Sequence, residues 1–190
     1  MLGDKVRLRA LEPSDADLLF EWENNTDTWE AGDRRWPVSL SDVKSLIEHS
    51  DLDVWQTRQV RFMIDSLSDG VSVGCIDVFD FDPLNMHCSL GVLIEPGSRG
   101  NGYATEAVAL VEAFARDVLF AHSVAVTIAA DNAPSLALFL AAGYERAGVL
   151  RQHLRRGRRF IDEVLLQKGF AEQGACAPFS VFCVRREAAN

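Results

Sequence analysis

Between a strand-like run ending at Ile94-Glu95-Pro96 and a long amphipathic run beginning at Tyr103 stands a turn of small residues and one cation, Gly97-Ser98-Arg99-Gly100-Asn101-Gly102. This turn constrains the fold on both of its sides. Main-chain N–H groups at the start of a helix lack intrahelical partners and lie at the positive end of the helix dipole, so a glycine-rich approach to a helix is a natural anion cradle. Gly100 and Gly102 let the backbone come close to a phosphate, and Arg99 adds a fixed charge with a planar fork of donors. Beyond the turn, "GYATEAVALVEAFARDVL" puts Ala, Leu, Val and Phe on one stripe and Glu106, Glu112, Arg116 and Asp117 elsewhere, the pattern of a half-buried helix.

Before the turn the periodicity is that of strands. "QVRFMIDSLSDGVSVGCIDVFDFDP" holds two strand-like runs around a turn at Ser68-Asp69-Gly70, and "MHCSLGVLIEP" follows a second turn at Asp82-Pro83-Leu84-Asn85, which predicts an antiparallel meander. At the N-terminus "KVRLRAL" alternates, with Val6, Leu8 and Ala10 on its apolar face. "EPSDADLLFEWENN" then reads as a helix with Ser14 as N-cap and Asp15 and Asp17 in its first turn, and "SLSDVKSLIEHS" as a second helix. The connection between them is long and aromatic, with Trp29 and Trp36, and such loops often carry function. After the long helix come a buried strand "SVAVTIAADN", a helix "APSLALFLAAG" closed by Gly143, and strands "YERAGVL" and "FIDEVLLQK" around the basic turn "RQHLRRGRRF". The predicted order is β-α-α-β-β-β-α-β-α-β-β, an α/β (α+β) fold.

With 190 residues, 48% of them apolar, one domain over residues 1–168 is expected, with 169–190 as an edge strand, a dimer contact or a tail. A formal charge of −9 disfavours a direct grip on nucleic acid and mildly favours a basic partner. No apolar run reaches the length of a membrane span and no apolar signal region opens the chain, so a cytoplasmic protein is expected. Cys75, Cys88, Cys176 and Cys183 have no metal-ligand spacing, and no metal is expected.

Three ligands compete for the turn. A Walker phosphate loop needs a lysine that is absent here. A dinucleotide fingerprint is met only in part by Gly100-x-Gly102-x-x-Thr105, and it belongs to a parallel βαβ unit, whereas an antiparallel meander leads in here. The third is the pyrophosphate of an acyl-CoA. Arg99-Gly100-Asn101-Gly102-Tyr103-Ala104 resembles the Arg/Gln-x-x-Gly-x-Gly/Ala motif of the GNAT superfamily of N-acetyltransferases, and "VRLRALEPSDAD", "GYATEAV", "DN-PS-ALF-AAGY" and "G-RRFIDEVLL" stand where that family would place them. The resemblance covers roughly residues 5 to 168 and is closest to the RimJ/RimL-like and spermidine N-acetyltransferase branch.

The resemblance implies a GNAT fold: a mixed, mostly antiparallel sheet splayed between its fourth and fifth strands and flanked by helices. It implies acetyl-CoA as cosubstrate, its arm held by backbone groups of Val92, Leu93 and Ile94, with an amide near Leu93 polarising the thioester carbonyl and Gly91 at a bulge. Arg99, Gly100, Asn101, Gly102, Tyr103 and Ala104 would clasp the pyrophosphate. Asn132 and Ser135 match the family's cofactor contacts after the fifth strand; as plain structure, "DNAPS" also reads as a helix cap with Asp131 or Asn132 as N-cap.

For catalysis the sequence departs from the family. Phe139 occupies the place where many members carry a tyrosine as general acid, and Tyr144 reads as a packing aromatic. Ser135 matches the serine acid of some ribosomal-protein-type members, but their fourth-strand glutamate is Ser89 here, which leaves Asp77 as the nearest candidate base, or a relayed water. Among the histidines only His87, at the start of the splayed strand, invites a test. Trp29, Glu30, Asp33 and Trp36 would wall the acceptor and could hold a cation. The expected activity is direct acetyl transfer to a primary amine (a protein N-terminus, a polyamine or another small amine), with a homodimer as a possible assembly. The alternative is a noncatalytic acyl-CoA-binding regulatory module on the same fold.

Overall fold

A computed structural model describes residues 1–29, 36–50 and 53–170. Its centre is a seven-stranded sheet in the order β1-β2-β3-β4-β5-β7-β6. The strands are β1 (Val6–Arg9), β2 (Val60–Ser66), β3 (Ser72–Asp82), β4 (His87–Ile94), β5 (Ser123–Ala129), β6 (Glu145–Arg156) and β7 (Arg159–Gly169). Every neighbouring pair is antiparallel except β4 and β5, which run parallel. The helices are α1 (Ala16–Asn24), α2 (Thr26–Trp29), α3 (Leu40–Glu48), α4 (Val54–Thr57), α5 (Tyr103–Asp117) and α6 (Ala133–Ala141). The fold is thus the mixed, mostly antiparallel GNAT arrangement expected from the sequence.

Side chains alternate across the pleat, so the register divides the core in two. Ile64 of β2, Ile76 and Val78 of β3 and Leu90 of β4 meet Val108, Val111 and Ala115 of α5 on one face. Met63 and Cys75, paired across β2 and β3, meet Leu19 and Trp22 of α1 and Val43 and Ile47 of α3 on the other. Ile76 has 0% exposure at the centre, where full burial of such a side chain contributes about 1.5–3 kcal/mol.

Local predictions fail at two places near the N-terminus. Ser14 does not cap α1. Pro13–Asp15 instead forms a 3-10 turn opened by a capping box between Glu12 and Asp15. The Asp15 carboxylate is recruited away by Arg9, whose Nη1 and Nη2 donate to its two oxygens at 2.7 and 2.8 Å. Ala10, expected on the buried face of β1, lies exposed just past the strand, and Leu11 is buried in its stead. Arg9 Nε and Arg7 Nη2 also donate to Asp65 Oδ2, and Ser72 Oγ to Asp65 Oδ1, which ties β1, β2, β3 and the start of α1 together.

Among the described residues no helix is long and apolar enough to cross a membrane. Cys75 and Cys88 are free and buried; Cys176 and Cys183 lie outside the described residues, as does most of the 169–190 stretch.

Candidate active site

The sheet opens between β4 and β5. The two strands pair only at His87↔Ser123, Cys88↔Val124 and Ser89↔Ala125. Beyond Ser89, β4 continues along β3 as far as Ile94, while β5 continues along β7 as far as Ala129. One edge of β4 from Leu90 to Ile94 therefore lacks a strand partner, the condition under which an extended ligand can add as a strand.

Which backbone groups face this gap follows from the ladder. Glu95 N donates to Val73 O at 2.9 Å. In an antiparallel pair the groups alternate, so those of Leu93 and Gly91 turn to β3, and those of Leu90, Val92 and Ile94 turn to the gap. The Leu93 amide is thus turned to β3 and the Val92 amide to the gap. Gly91 does not sit at a bulge: it pairs with Asp77 in unbroken register, and the irregularity falls between Phe79 and Asp82, where Asp80 has φ of 50°.

At the open end of β4 the chain turns into α5. Glu95 caps a short 3-10 turn, Pro96–Ser98, with Ser98 Oγ donating to its Oε2 at 3.1 Å. Gly100 and Gly102 have φ of 83° and 82°, values that disfavour side chains, and a Cβ on Gly100 would project into open space. Gly102 is the N-cap of α5 and offers no side chain to its first turn, so the leading amides of Tyr103 and Ala104 are uncapped. Arg99 Nε donates to Ile94 O at 3.1 Å, and no described residue hydrogen-bonds its two terminal nitrogens. Asn101 Nδ2 donates to Ser98 O, which stiffens the turn.

Two residues that sequence did not single out complete this loop. Glu106, one turn into α5, accepts from the amides of Asp4, Lys5 and Val6 at 2.6, 2.8 and 2.7 Å. Burial would raise its carboxyl, but these three amides outweigh that and hold it below the usual range. Lys5 Nζ donates to Asn101 O at 3.1 Å. The start of β1 is thereby fastened to the glycine turn, a contact across about a hundred residues of chain that local pattern cannot reveal.

Across the gap, Asn132 is the N-cap of α6: its Oδ1 accepts from Ser135 N at 3.2 Å. No described residue bonds its Nδ2 or the Ser135 hydroxyl, so capping leaves both free for a ligand. Phe139 is buried and packs edge-to-face on Tyr144 with ring centroids 5.1 Å apart. Tyr144 precedes Glu145, which pairs with Gln167 opposite Ala125, so it lies level with the closed end of the β4–β5 pair. Burial, then the nearby Glu112 carboxylate, pushes its hydroxyl far up. Tyr144 is therefore core, as the family resemblance implied.

The other face of the sheet, under α1 and α3, carries the charge. Arg61 Nε and Nη2 donate to Asp77 Oδ1 and Oδ2 at 2.6 and 3.0 Å, and its Nη1 to Glu23 Oε1 at 2.8 Å. Burial opposes the Arg61 charge, but Asp77 and Glu23 hold its proton more firmly than in water. Asp77 pairs with Gly91 and lies on the same face of the sheet as Gly91 and Leu93. Both its oxygens accept from Arg61, so it is a paired carboxylate and not a free one. Trp29 Nε1 donates to Glu23 O at 2.8 Å, which brings that aromatic to the end of α1, and Trp36 is 63% exposed. Glu30 and Asp33 lie outside the described residues. A cavity of 340 Å³ opens here, lined by Leu19, Glu23, Val38, Asp42, Val43, Ser45, Leu46, His49 and Arg61. A larger one of 480 Å³, beside His122, Gly143 and Lys168, lies at the closed end of the sheet, away from the gap. His87 is also at the closed end, 3.7 Å from Asp82, and does not reach the site. Among the described residues no cluster of His, Cys, Asp and Glu suits a metal ion.

Comparison with known proteins agrees with this geometry. A family model described as "Acetyltransferase (GNAT) domain" matches residues 5–145. YoaA of Bacillus subtilis (strain 168), an uncharacterized N-acetyltransferase, is 23% identical over 151 residues, 80% of this chain and 85% of YoaA. Spermidine N(1)-acetyltransferase of Escherichia coli (strain K12) is 22% identical over 148 residues, 76% of this chain and 75% of the enzyme. Among solved structures, the spermidine N-acetyltransferase of Vibrio cholerae in complex with CoA and spermine superposes with a TM-score of 0.78 at 18% identity, over 86% of this chain and 95% of that one.

Proposed function

The chain belongs to the acetyltransferase (GNAT) family and is an acyltransferase, and from that premise we propose that it moves an acetyl group from acetyl-CoA directly to a primary amine on a cationic acceptor, a polyamine or another small amine before a protein N-terminus. One observation carries the cofactor half of this reading: the unpartnered edge of β4 beyond Ser89 leads straight into the uncapped amides at Gly102. The residues fit the group. An extended arm needs a free strand edge, a pyrophosphate needs open space over a glycine turn and positive charge, and Gly100, Gly102 and Arg99 provide both.

Acetyl-CoA would supply the acyl group as an activated thioester. The backbone of Val92 and Ile94 would orient the arm, and the Val92 amide would donate to the thioester carbonyl oxygen as negative charge develops there. Arg99 through its terminal nitrogens, with the main chain of Gly100, Asn101, Gly102, Tyr103 and Ala104, would bind the phosphates. Asn132 Nδ2 would donate to the arm from the opposite wall. The Ser135 hydroxyl, unengaged in the first turn of α6, would give its proton to the departing thiolate in place of the tyrosine that Phe139 displaces. Asp77, held by Arg61, serves as fixed charge, and the amine would lose its proton to water.

On the acceptor side Glu23 and Asp77 both bind Arg61, and Trp29 stands beside Glu23 at the end of α1. The acidic balance of the chain, with a formal charge of −9, and the aromatic side chain beside Glu23 favour a cationic amine. Release of free thiol from acetyl-CoA, followed against spermidine, spermine, small diamines and a peptide with a free N-terminus, tests this reading. Turnover with the polycations above the peptide is expected; turnover with the peptide alone would overturn the acceptor assignment.

A further inference from the structure

We propose that Lys5 is a phosphate-binding residue of the cofactor cradle, contributed by the start of β1 and not by the glycine turn itself; the inference rests on the acetyl-CoA reading above. The ammonium is placed by the fold. Lys5 Nζ lies 3.1 Å from Asn101 O, and a Cβ built on Gly102 would lie 3.0 Å from that nitrogen. The charge therefore rests against the glycine that opens α5, on the side where a side chain is missing.

Its backbone is equally fixed. The Lys5 amide is the middle one of the three that converge on Glu106, so the segment bearing the lysine cannot drift from the first turn of α5. An ammonium has three donors. One is used on Asn101 O, and two remain. Lys5 is exposed, so neither needs to be uncovered before a ligand arrives.

The charge balance gives this cation a purpose. Two carboxylates, Glu95 and Glu106, flank the turn and would repel a phosphate. Glu95 is occupied by Ser98 and the amide of Gly97, and Glu106 by three amides. Arg99 alone would match two negative side chains with one positive charge. Lys5 makes the count even, before the partial positive charge of the helix N-terminus is added. It also approaches from the β1 side, whereas Arg99 approaches from the end of β4, so a bridging diphosphate would be gripped from two sides.

The phosphate could be the cofactor's pyrophosphate or its 3'-phosphate, and the test separates them. Binding of CoA and of 3'-dephospho-CoA is measured by calorimetry for the wild type, Lys5→Gln and Lys5→Arg, alongside acetyl transfer from acetyl-CoA and from the phosphate-free S-acetylpantetheine. Lys5→Gln should weaken CoA binding about 5- to 30-fold, the scale of one charge-assisted hydrogen bond. KM for acetyl-CoA should rise with kcat held within about twofold, kcat/KM for S-acetylpantetheine should stay unchanged, and Lys5→Arg should recover most of the loss. An equal loss with 3'-dephospho-CoA assigns the ammonium to the pyrophosphate; a loss confined to CoA assigns it to the 3'-phosphate. Unchanged CoA affinity in Lys5→Gln overturns the proposal. So does an equal fall with S-acetylpantetheine, which would make Lys5 a prop for the turn. If the wild type binds neither CoA nor 3'-dephospho-CoA, the cofactor reading itself falls, and Lys5 with it.

Discussion

Arg61 and Asp77 face each other across β2 and β3 in a two-pronged ion pair, Nε to Oδ1 at 2.6 Å and Nη2 to Oδ2 at 3.0 Å. A carboxylate gripped in this way is fixed in place by the guanidinium, and it projects negative charge into the acceptor side. Asp77→Asn should therefore raise KM for a cationic acceptor about 3- to 10-fold, the effect of one modest charge interaction. KM for acetyl-CoA and both limbs of the kcat–pH profile should be kept. Steady-state kinetics with each substrate varied in turn checks this, and loss of one pH limb would return the proton-transfer role to Asp77.

Phe139 is the chain's clearest departure from its family, and its burial against Tyr144 defines what repair would do. Phe139→Tyr places a hydroxyl in the buried cluster that Phe139 shares with Tyr144, with a cost of roughly 1–3 kcal/mol if the group finds no partner. Chemical denaturation should show that loss, and kcat should not rise. A variant of unchanged stability with faster turnover would mean that position 139 opens onto the reacting atoms.

The element order and the meander were legible because each rests on local signals: alternation, turn chemistry and helix periodicity; the splay at β4–β5 came from the family resemblance alone. What stayed hidden was set by contacts distant in sequence. Ser14 looked like an N-cap, but Arg9 and Asp15 reorganised that turn into a 3-10 helix. Asp77 looked like a free acid because Arg61 is 16 residues away in sequence and adjacent only across the ladder. Leu93 looked equivalent to Val92 because the direction of each amide depends on pairing with β3. Glu106 stood within "GYATEAV" and Lys5 within "KVRLRAL", but nothing local tied one to the other.

The buried network of Arg9, Asp15 and Asp65 makes stability depend on acid. Burial alone would raise both carboxyls, but the bonds from Arg9 to Asp15, and from Arg7, Ser72 and Arg9 to Asp65, outweigh it and leave both below their ordinary values. A carboxyl depressed in the folded state contributes stability that is fully present above the unfolded pKa and is lost as pH falls through the folded one. Thermal unfolding should be flat from about pH 7 to 5 on account of these groups and decline below about pH 4, where the unfolded carboxyls take up protons. Asp65→Ala should cost about 1.5–3 kcal/mol at neutral pH, the scale of the charged hydrogen bonds lost while Arg9 keeps Asp15, and should flatten the acid limb.

Cys75 and Cys88 are buried, and burial pushes both thiols up to about 12. The thiolate is the reactive species, so neither should react with a disulfide reagent in the native protein. In a Cys176→Ser/Cys183→Ser double variant, no thiol should titrate until denaturant is added, and then two should. A fast-reacting thiol in the folded variant would place one of these strands at the surface.

The claim on which the rest depends is that β4 beyond Ser89 is a strand edge completed by the cofactor, and residue-resolved amide hydrogen exchange with and without CoA tests it most directly. The Val92 amide, turned to the gap, should become at least tenfold slower on saturation with CoA, about 1.4 kcal/mol of added protection, while the Leu93 amide, already held by β3, should not change. An unchanged Val92 amide in CoA-saturated protein, or protection appearing at Leu93 in its place, would contradict the account.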